Sequence, residues 1–179
     1  WQALFEHGAL TAGQRVLVNG AGGGVGGFAV QLARRAGAFV IATASPRSAG
    51  VMRAFGADEV IDYTAVKIPD AVGEPADLVV NLVPGARADT EALLGVTRPG
   101  GALVSATSPG GEFPGHQVRV VFFSVRSDPA QLAQIPGRVA AGQLRLDISA
   151  RRPLAETPLV HQASEAGAIR GRVLLIPEG

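Results

Sequence analysis

Cysteine is absent from this chain. Its absence excludes disulfides and cysteine-ligated zinc within these residues, and a cytoplasmic protein needs neither. An excess of charge is also lacking: 16 basic and 15 acidic residues give a formal net charge of +1, with no basic run. Capture of nucleic acid by a charged face is therefore not expected. No apolar run approaches the roughly 18 residues that a membrane-spanning helix needs. The first residues also lack the basic-then-apolar layout of a secretory leader. A cytoplasmic protein with no membrane and no nucleic-acid partner is the expectation.

Apolar material is plentiful. Hydrophobic residues make up 47% and charged residues 17% of the 179, enough for the core of one ordinary domain. Because the chain opens on Trp1 rather than Met, it reads as a piece of a longer polypeptide. Short β-branched runs alternate with helical stretches. Strands are expected at 15–19, 38–44, 58–63, 77–83, 102–107 and 117–125, and helices at 25–37, 48–57 and 86–97. A turn at 98–101 and a loop at 108–116 separate later elements. Asp128 and Pro129 predict an N-cap and first turn of a helix running towards Gly142, which Pro136 should kink or shorten. The tail offers a proline-punctuated stretch, a short helix near 161–167 and a strand at 172–176. This alternation implies right-handed βαβ units. The expected fold class is α/β, a doubly wound six-stranded parallel sheet covered on both faces.

Glycine is concentrated where it costs most. The first strand, "RVLVN", runs into "GAGGGVGG", eight residues of which six are glycine. Gly22, Gly24 and Gly27 satisfy G-x-G-x-x-G, with a strand before and a periodic helix after. Such a turn lets a diphosphate approach backbone without a Cβ in the way, at unpaired N–H groups where the helix dipole favours an anion. A P-loop is excluded, because no Lys-Ser or Lys-Thr follows the glycines.

An NAD site usually places an acid near the end of the second strand to hold ribose hydroxyls. Here the stretch reads Thr43, Ala44, Ser45, Pro46, Arg47, Ser48, with no carboxylate. A hydroxyl and a guanidinium suit a ribose 2′-phosphate, which favours NADPH over NADH. Tyr63 and Lys67 form Y-x-x-x-K, but they follow a short strand and precede Pro69. A ligand role for Tyr63 beside the adenosine phosphate fits that position better than a catalytic one. His7, His116 and His161 are far apart in sequence, and no metal site is expected from them.

The stretch "WQALFEHGALTAGQRVLVNGAGGGVGGFAVQLARRAGAFVIATAS", then "FGADEVIDYT", "RPGGALVS" and the ending "GAIRGRVLLI", resembles the cofactor domain of medium-chain dehydrogenases/reductases. Within that superfamily it is similar to the zinc-independent quinone oxidoreductase and enone reductase group, whose A-x-G-G-V-G is matched by Ala21, Gly23, Gly24, Val25 and Gly26. The resemblance implies a Rossmann fold and a NADPH-dependent reductase of quinones or α,β-unsaturated carbonyls, with hydride passing from nicotinamide C4.

By position, Ala21, Gly22, Gly23, Gly24, Val25 and Gly26 would hold the diphosphate, and Ser45, Arg47 and Tyr63 the 2′-phosphate end. Asn81 and Leu82 would face ribose or nicotinamide. The loop Ala106, Thr107, Ser108 and the strand around Phe123 and Val125 would border the nicotinamide pocket. No catalytic residue and no metal ligand is assigned. Asn81 stands where the family often has a small residue or Asp, and Arg172 replaces the Lys common in its closing G-K.

The implied division is a connecting helix from a preceding domain (1–12), the dinucleotide-binding domain (13–145), and a tail (146–179) that would return to the preceding domain. That missing N-terminal substrate domain would shape most of the substrate pocket, so these residues alone are expected to be inactive. "VRVVFFSV" reads as an apolar sheet edge that pairing across a twofold axis would cover, so a homodimer is expected. A non-catalytic dinucleotide-binding module and, with less support from the second strand, a methyltransferase stand as alternatives.

Overall fold

The computed structural model describes residues 1–107 and 113–177; Ser108 and the rest of 108–112 lie outside them. Six strands build one sheet: β1 (Arg15–Asn19), β2 (Phe39–Thr43), β3 (Glu59–Ile61), β4 (Ala76–Asn81), β5 (Thr97–Ser105) and β6 (Arg119–Phe122). Every pairing is parallel, in the order β3-β2-β1-β4-β5-β6. The chain starts at the centre, builds outward one way, then returns to build the other half. The order therefore reverses between β1 and β4, which opens a crevice at the carboxyl ends of those strands.

The helices are α1 (Gly24–Arg35), α2 (Pro46–Ala54), the single turn α3 (Ile68–Ala71), α4 (Arg87–Gly95), α5 (Pro129–Ala140) and α6 (Thr157–Glu165). The apolar residues of the central strands divide between two faces, as the two-residue period of a strand requires. Val16, Val18, Val40, Ala42, Leu78, Val80 and Val104 meet α1 and α2 through Val30, Leu32, Ala33 and Met52. Leu17, Ile41, Val79 and Leu103 meet α4 through Leu93 and Leu94 on the other face. The expected doubly wound sheet is the fold.

Several boundaries differ from expectation. β6 ends at Phe122, so Phe123 and Val125 sit beyond the strand, although Phe123 N–H still donates to Ser105 O (3.1 Å). β5 reaches back through the expected 98–101 turn, but its pairing with β4 jumps from Ala76↔Thr97 to Leu78↔Ala102, and Gly100 has φ +78°. The turn chemistry is therefore retained as an irregularity within the strand.

Pro136 does not shorten α5, which continues to Ala140. The carbonyl it leaves without a donor belongs to Leu132, and that residue is exposed, so water is available to it. Within 1–12 only Gln2–His7 is helical, as one π-type segment. α6 begins four residues before the expected 161, where Thr157-Pro158 supplies a start signal. The tail also holds β7 (Ile148–Pro153), which pairs in parallel with β8 (Arg172–Ile176) as a separate two-stranded sheet. No helix among the described residues is long and apolar enough to cross a membrane.

Candidate coenzyme-binding site

The turn after β1 explains the glycines, though not in the register that G-x-G-x-x-G picks out. Gly20 has φ +86°, the left-handed backbone that makes the sharp exit from β1. Gly26 is the close approach: a Cβ there would lie 2.4 Å from Gly20 O and 2.5 Å from Ala21 Cα. Gly22, Gly24 and Gly27 carry no positive φ, and the nearest atoms to a Cβ at any of them belong to side chains. Gly23 caps α1, and its own N–H donates to Gly20 O (3.1 Å). The N–H groups of Gly24, Val25 and Gly26 open the helix and have no carbonyl one turn back to bond. Residues 22–25 are exposed while Ala21 and Gly26 are buried, so the helix start faces the crevice.

Two concavities meet at this turn. The larger, about 940 Å³, runs along the carboxyl ends of β1, β2, β3 and β4. Gly22, Gly23, Ser45, Tyr63 and Asn81, all expected at the site, line it, and Lys67 does too. The smaller, about 370 Å³, lies between the glycine turn and the C-terminal segment. It brings together Arg47, Arg145, Arg170 and Arg172, with Asp147 as the carboxylate among them. Asp147 is engaged by Arg170 at 2.9 Å, so the lining keeps a positive balance.

Arg172 reaches the turn itself: Nη2 donates to Gly24 O (3.2 Å), and the guanidinium lies 5.5 Å from the Phe28 ring centre. Arg47 is exposed and donates to Gly167 O (2.5 Å) and Ile169 O (3.0 Å). Sequence reasoning assigned Arg47 to a phosphate and missed these carbonyls, because they lie 120 or more residues away. It also missed Arg145 and Arg170.

A band of polar side chains closes the floor of the crevice. Gly20 N–H donates to Thr43 Oγ1 (2.9 Å), and that hydroxyl donates to Asn19 Oδ1 (3.0 Å). Asn19 Nδ2 donates to Asn81 Oδ1 (2.8 Å). Asn81 Nδ2 donates to Val83 O (3.0 Å) and Ser105 Oγ (3.3 Å). Asn81 is only 4% exposed. The signal for this band was in the sequence, since each of the four central apolar strands ends on a polar residue: Asn19, Thr43, Asn81 or Ser105.

The remaining expected residues lie on the far side of the band. Leu82 is half-buried against the α1 face of the core, and Ala106 and Thr107 are exposed just past β5. Phe123 packs on His7 with ring centres 4.4 Å apart and planes tilted by 38°, and Val125 is 79% exposed. The loop after them is held by a clasp. Arg126 pairs with Glu6 (3.2 Å) and Asp128 (3.2 Å), and Gln2 Nε2 donates to Arg126 O (2.9 Å). Hydrogen bonds from Gln131 and Arg126 hold the Glu6 carboxyl below the usual carboxylate range. The Gln131 backbone N–H, then Arg126, does the same for Asp128. Among the described residues no group of three or more His, Cys, Asp or Glu could hold a metal ion.

Comparison with known proteins agrees with this fold. Residues 55–175 match a family model described as "Zinc-binding dehydrogenase". The mitochondrial NAD(P)H oxidoreductase RTN4IP1 of Mus musculus is 30% identical over 207 residues, covering 98% of this chain and 52% of that protein. The spectinabilin polyketide synthase system protein NorB of Streptomyces orinoci is 35% identical over 161 residues, covering 81% of this chain and 7% of that protein. The solved quinone oxidoreductase of Coxiella burnetii superposes with a TM-score of 0.81 at 27% identity, over 96% of this chain and 55% of that one. The chain thus spans about half of the two oxidoreductases and a small part of the synthase protein. A doubly wound sheet, a bare helix start at its switch point and a family match over most of the chain lead to one assignment: this chain belongs to the zinc-binding dehydrogenase family and forms a cofactor-binding domain of the medium-chain dehydrogenase/reductase superfamily.

Proposed function

We propose that the chain is the NADPH-binding half of a zinc-independent reductase that delivers hydride to an α,β-unsaturated carbonyl or a quinone. The observation that carries this reading is the start of α1, where N–H groups with no carbonyl one turn back face the crevice beside the exposed, Cβ-free Gly22, Gly23 and Gly24. Those features fit a diphosphate. When bound, the coenzyme supplies the hydride at nicotinamide C4. The chain's own work is to hold and orient it, which is the main demand of hydride transfer.

Ala21, Gly22, Gly23, Gly24, Val25 and Gly26 hold the diphosphate in this reading, with Arg172 balancing its charge from across the turn. Ser45, Arg47 and Tyr63 receive the ribose 2′-phosphate. Arg47 has two of its five N–H groups on carbonyls, and three are left for an anion. Asn81 and Leu82 edge the ribose. Ala106, Thr107, Phe123 and Val125 border the nicotinamide.

Quinones and enones share a conjugated carbonyl acceptor, and one hydride site serves either. Similarity to a polyketide synthase protein favours an unsaturated acyl chain within a synthase. A substrate domain supplied by the rest of the polypeptide, and a homodimer paired along β6, belong to the same proposal. So does a cytoplasmic location, since a cysteine-free chain requires no oxidising compartment.

Calorimetry on the full-length protein tests the reading. NADPH should bind at least about tenfold more tightly than NADH, the scale of a charge-assisted contact. Arg47→Ala should erase that difference. Equal affinities would defeat the NADPH assignment, and no binding of either coenzyme would defeat the function.

A further inference from the structure

The polar band at the carboxyl edge of the sheet is a directed chain of hydrogen bonds. Its left end is a backbone donor, Gly20 N–H, so Thr43 Oγ1 must accept there and spend its proton on Asn19 Oδ1. Asn19 is then oriented with its NH2 towards Asn81 Oδ1. That in turn points the Asn81 NH2 at Val83 O and Ser105 Oγ. Asn81 Oδ1 also accepts from Val83 N–H (3.2 Å), so both donors and both acceptor sites of this amide are in use. Ser105 Oγ extends the chain to Thr107 N–H (3.4 Å), and Asn81 O accepts from Ala106 N–H (3.3 Å).

Asn19, Asn81 and Ser105 are direct register partners on adjacent strands, and Thr43 closes β2 beside them, so the chain spans four strands in one line. One end fixes the turn that leads into the diphosphate loop. The other fixes the loops after β4 and β5.

We propose that Asn81 is a positioning residue that couples the two ends of the coenzyme cleft through Thr43, Asn19 and Ser105. The proposal rests on the coenzyme-binding reading above. Thr43 and Ser105 are each 1% exposed and Asn81 is 4% exposed, while Asn19 is half-buried, so water is a poor substitute for any of the three buried members. A change at either end propagates, because the Thr43 hydroxyl and the Asn19 and Asn81 amides each have their orientation set by a neighbour in the line.

The test is a double-mutant cycle on the full-length protein, with the dissociation constant for NADPH as readout. Thr43→Val and Ser105→Ala should each weaken binding about fivefold, the scale of one lost hydrogen bond. The double variant should lose little more than the worse single, whereas independent sites would multiply to about 25-fold. In an Asn81→Ala background the same two changes should combine by simple multiplication. Thr43→Ser should restore binding, while Thr43→Val keeps the volume and does not. If Asn81→Ala does not fold, Asn81→Leu, close in volume and with neither donor nor acceptor, takes its place. A 25-fold loss with Asn81 intact, or coupling that survives its removal, overturns the proposal. An unaltered protein that fails to bind NADPH overturns the coenzyme reading instead.

Discussion

At the scale of the residue, the glycine turn separates two kinds of glycine. Gly26→Ala places a Cβ 2.4 Å from Gly20 O, a backbone atom that cannot step aside. We predict a loss of about 1–3 kcal/mol of stability, the usual cost of overpacking, together with loss of coenzyme binding. Gly24→Ala meets only the tip of Arg172, at 2.8 Å, and a flexible side chain can move. This variant should unfold within a few degrees of the unaltered protein, and thermal unfolding of the pair checks the contrast. The G-x-G-x-x-G pattern found the turn but misassigned its glycines. Positive φ and close contact belong to Gly20 and Gly26, and letter spacing in so glycine-rich a stretch carries no information about either. Arg47 shows a similar limit. Its place after a strand with no closing acid was legible, while its carbonyl partners at Gly167 and Ile169 depend on how the tail folds back.

At the scale of the element, the six sheet strands were legible because each buried strand is a short β-branched run. β7 was not. Its sequence, "ISARRP", is charged and mostly exposed, and it pairs only with β8. Without a buried face a strand leaves no two-residue rhythm to read. α5 was announced by its cap, and Asp128 does accept from Gln131 N–H (2.9 Å). Asp128→Ala removes this cap and should lower the unfolding midpoint.

The clasp around that cap also titrates. Glu6 and Asp128 are both held below their ordinary values in the folded chain. Groups shifted down stabilise the fold above the unfolded carboxylate range, near pH 4, and that contribution fades as pH falls through the lowered native values. Urea midpoints should therefore drop between about pH 5 and pH 2, and Arg126→Met should flatten that dependence. An unchanged slope would detach Arg126 from the clasp.

At the scale of the whole molecule, the sheet leaves β6 as an edge, with Val125 79% exposed just past it. Pairing of two such edges across a twofold axis would cover them. Light scattering on the full-length protein should give twice the chain mass, and Val125→Asp should shift it towards monomer. A monomer at high concentration would show that the edge is covered another way. The two concavities, the arginines of the C-terminal segment and the polar band all converge on the start of α1. The most direct measurement is therefore a crystal structure of the full-length protein with bound NADPH. Diphosphate oxygens should lie within about 3 Å of the free N–H groups that open α1, with Arg172 turned towards them. Bound coenzyme whose diphosphate lies away from this turn would contradict the coenzyme reading.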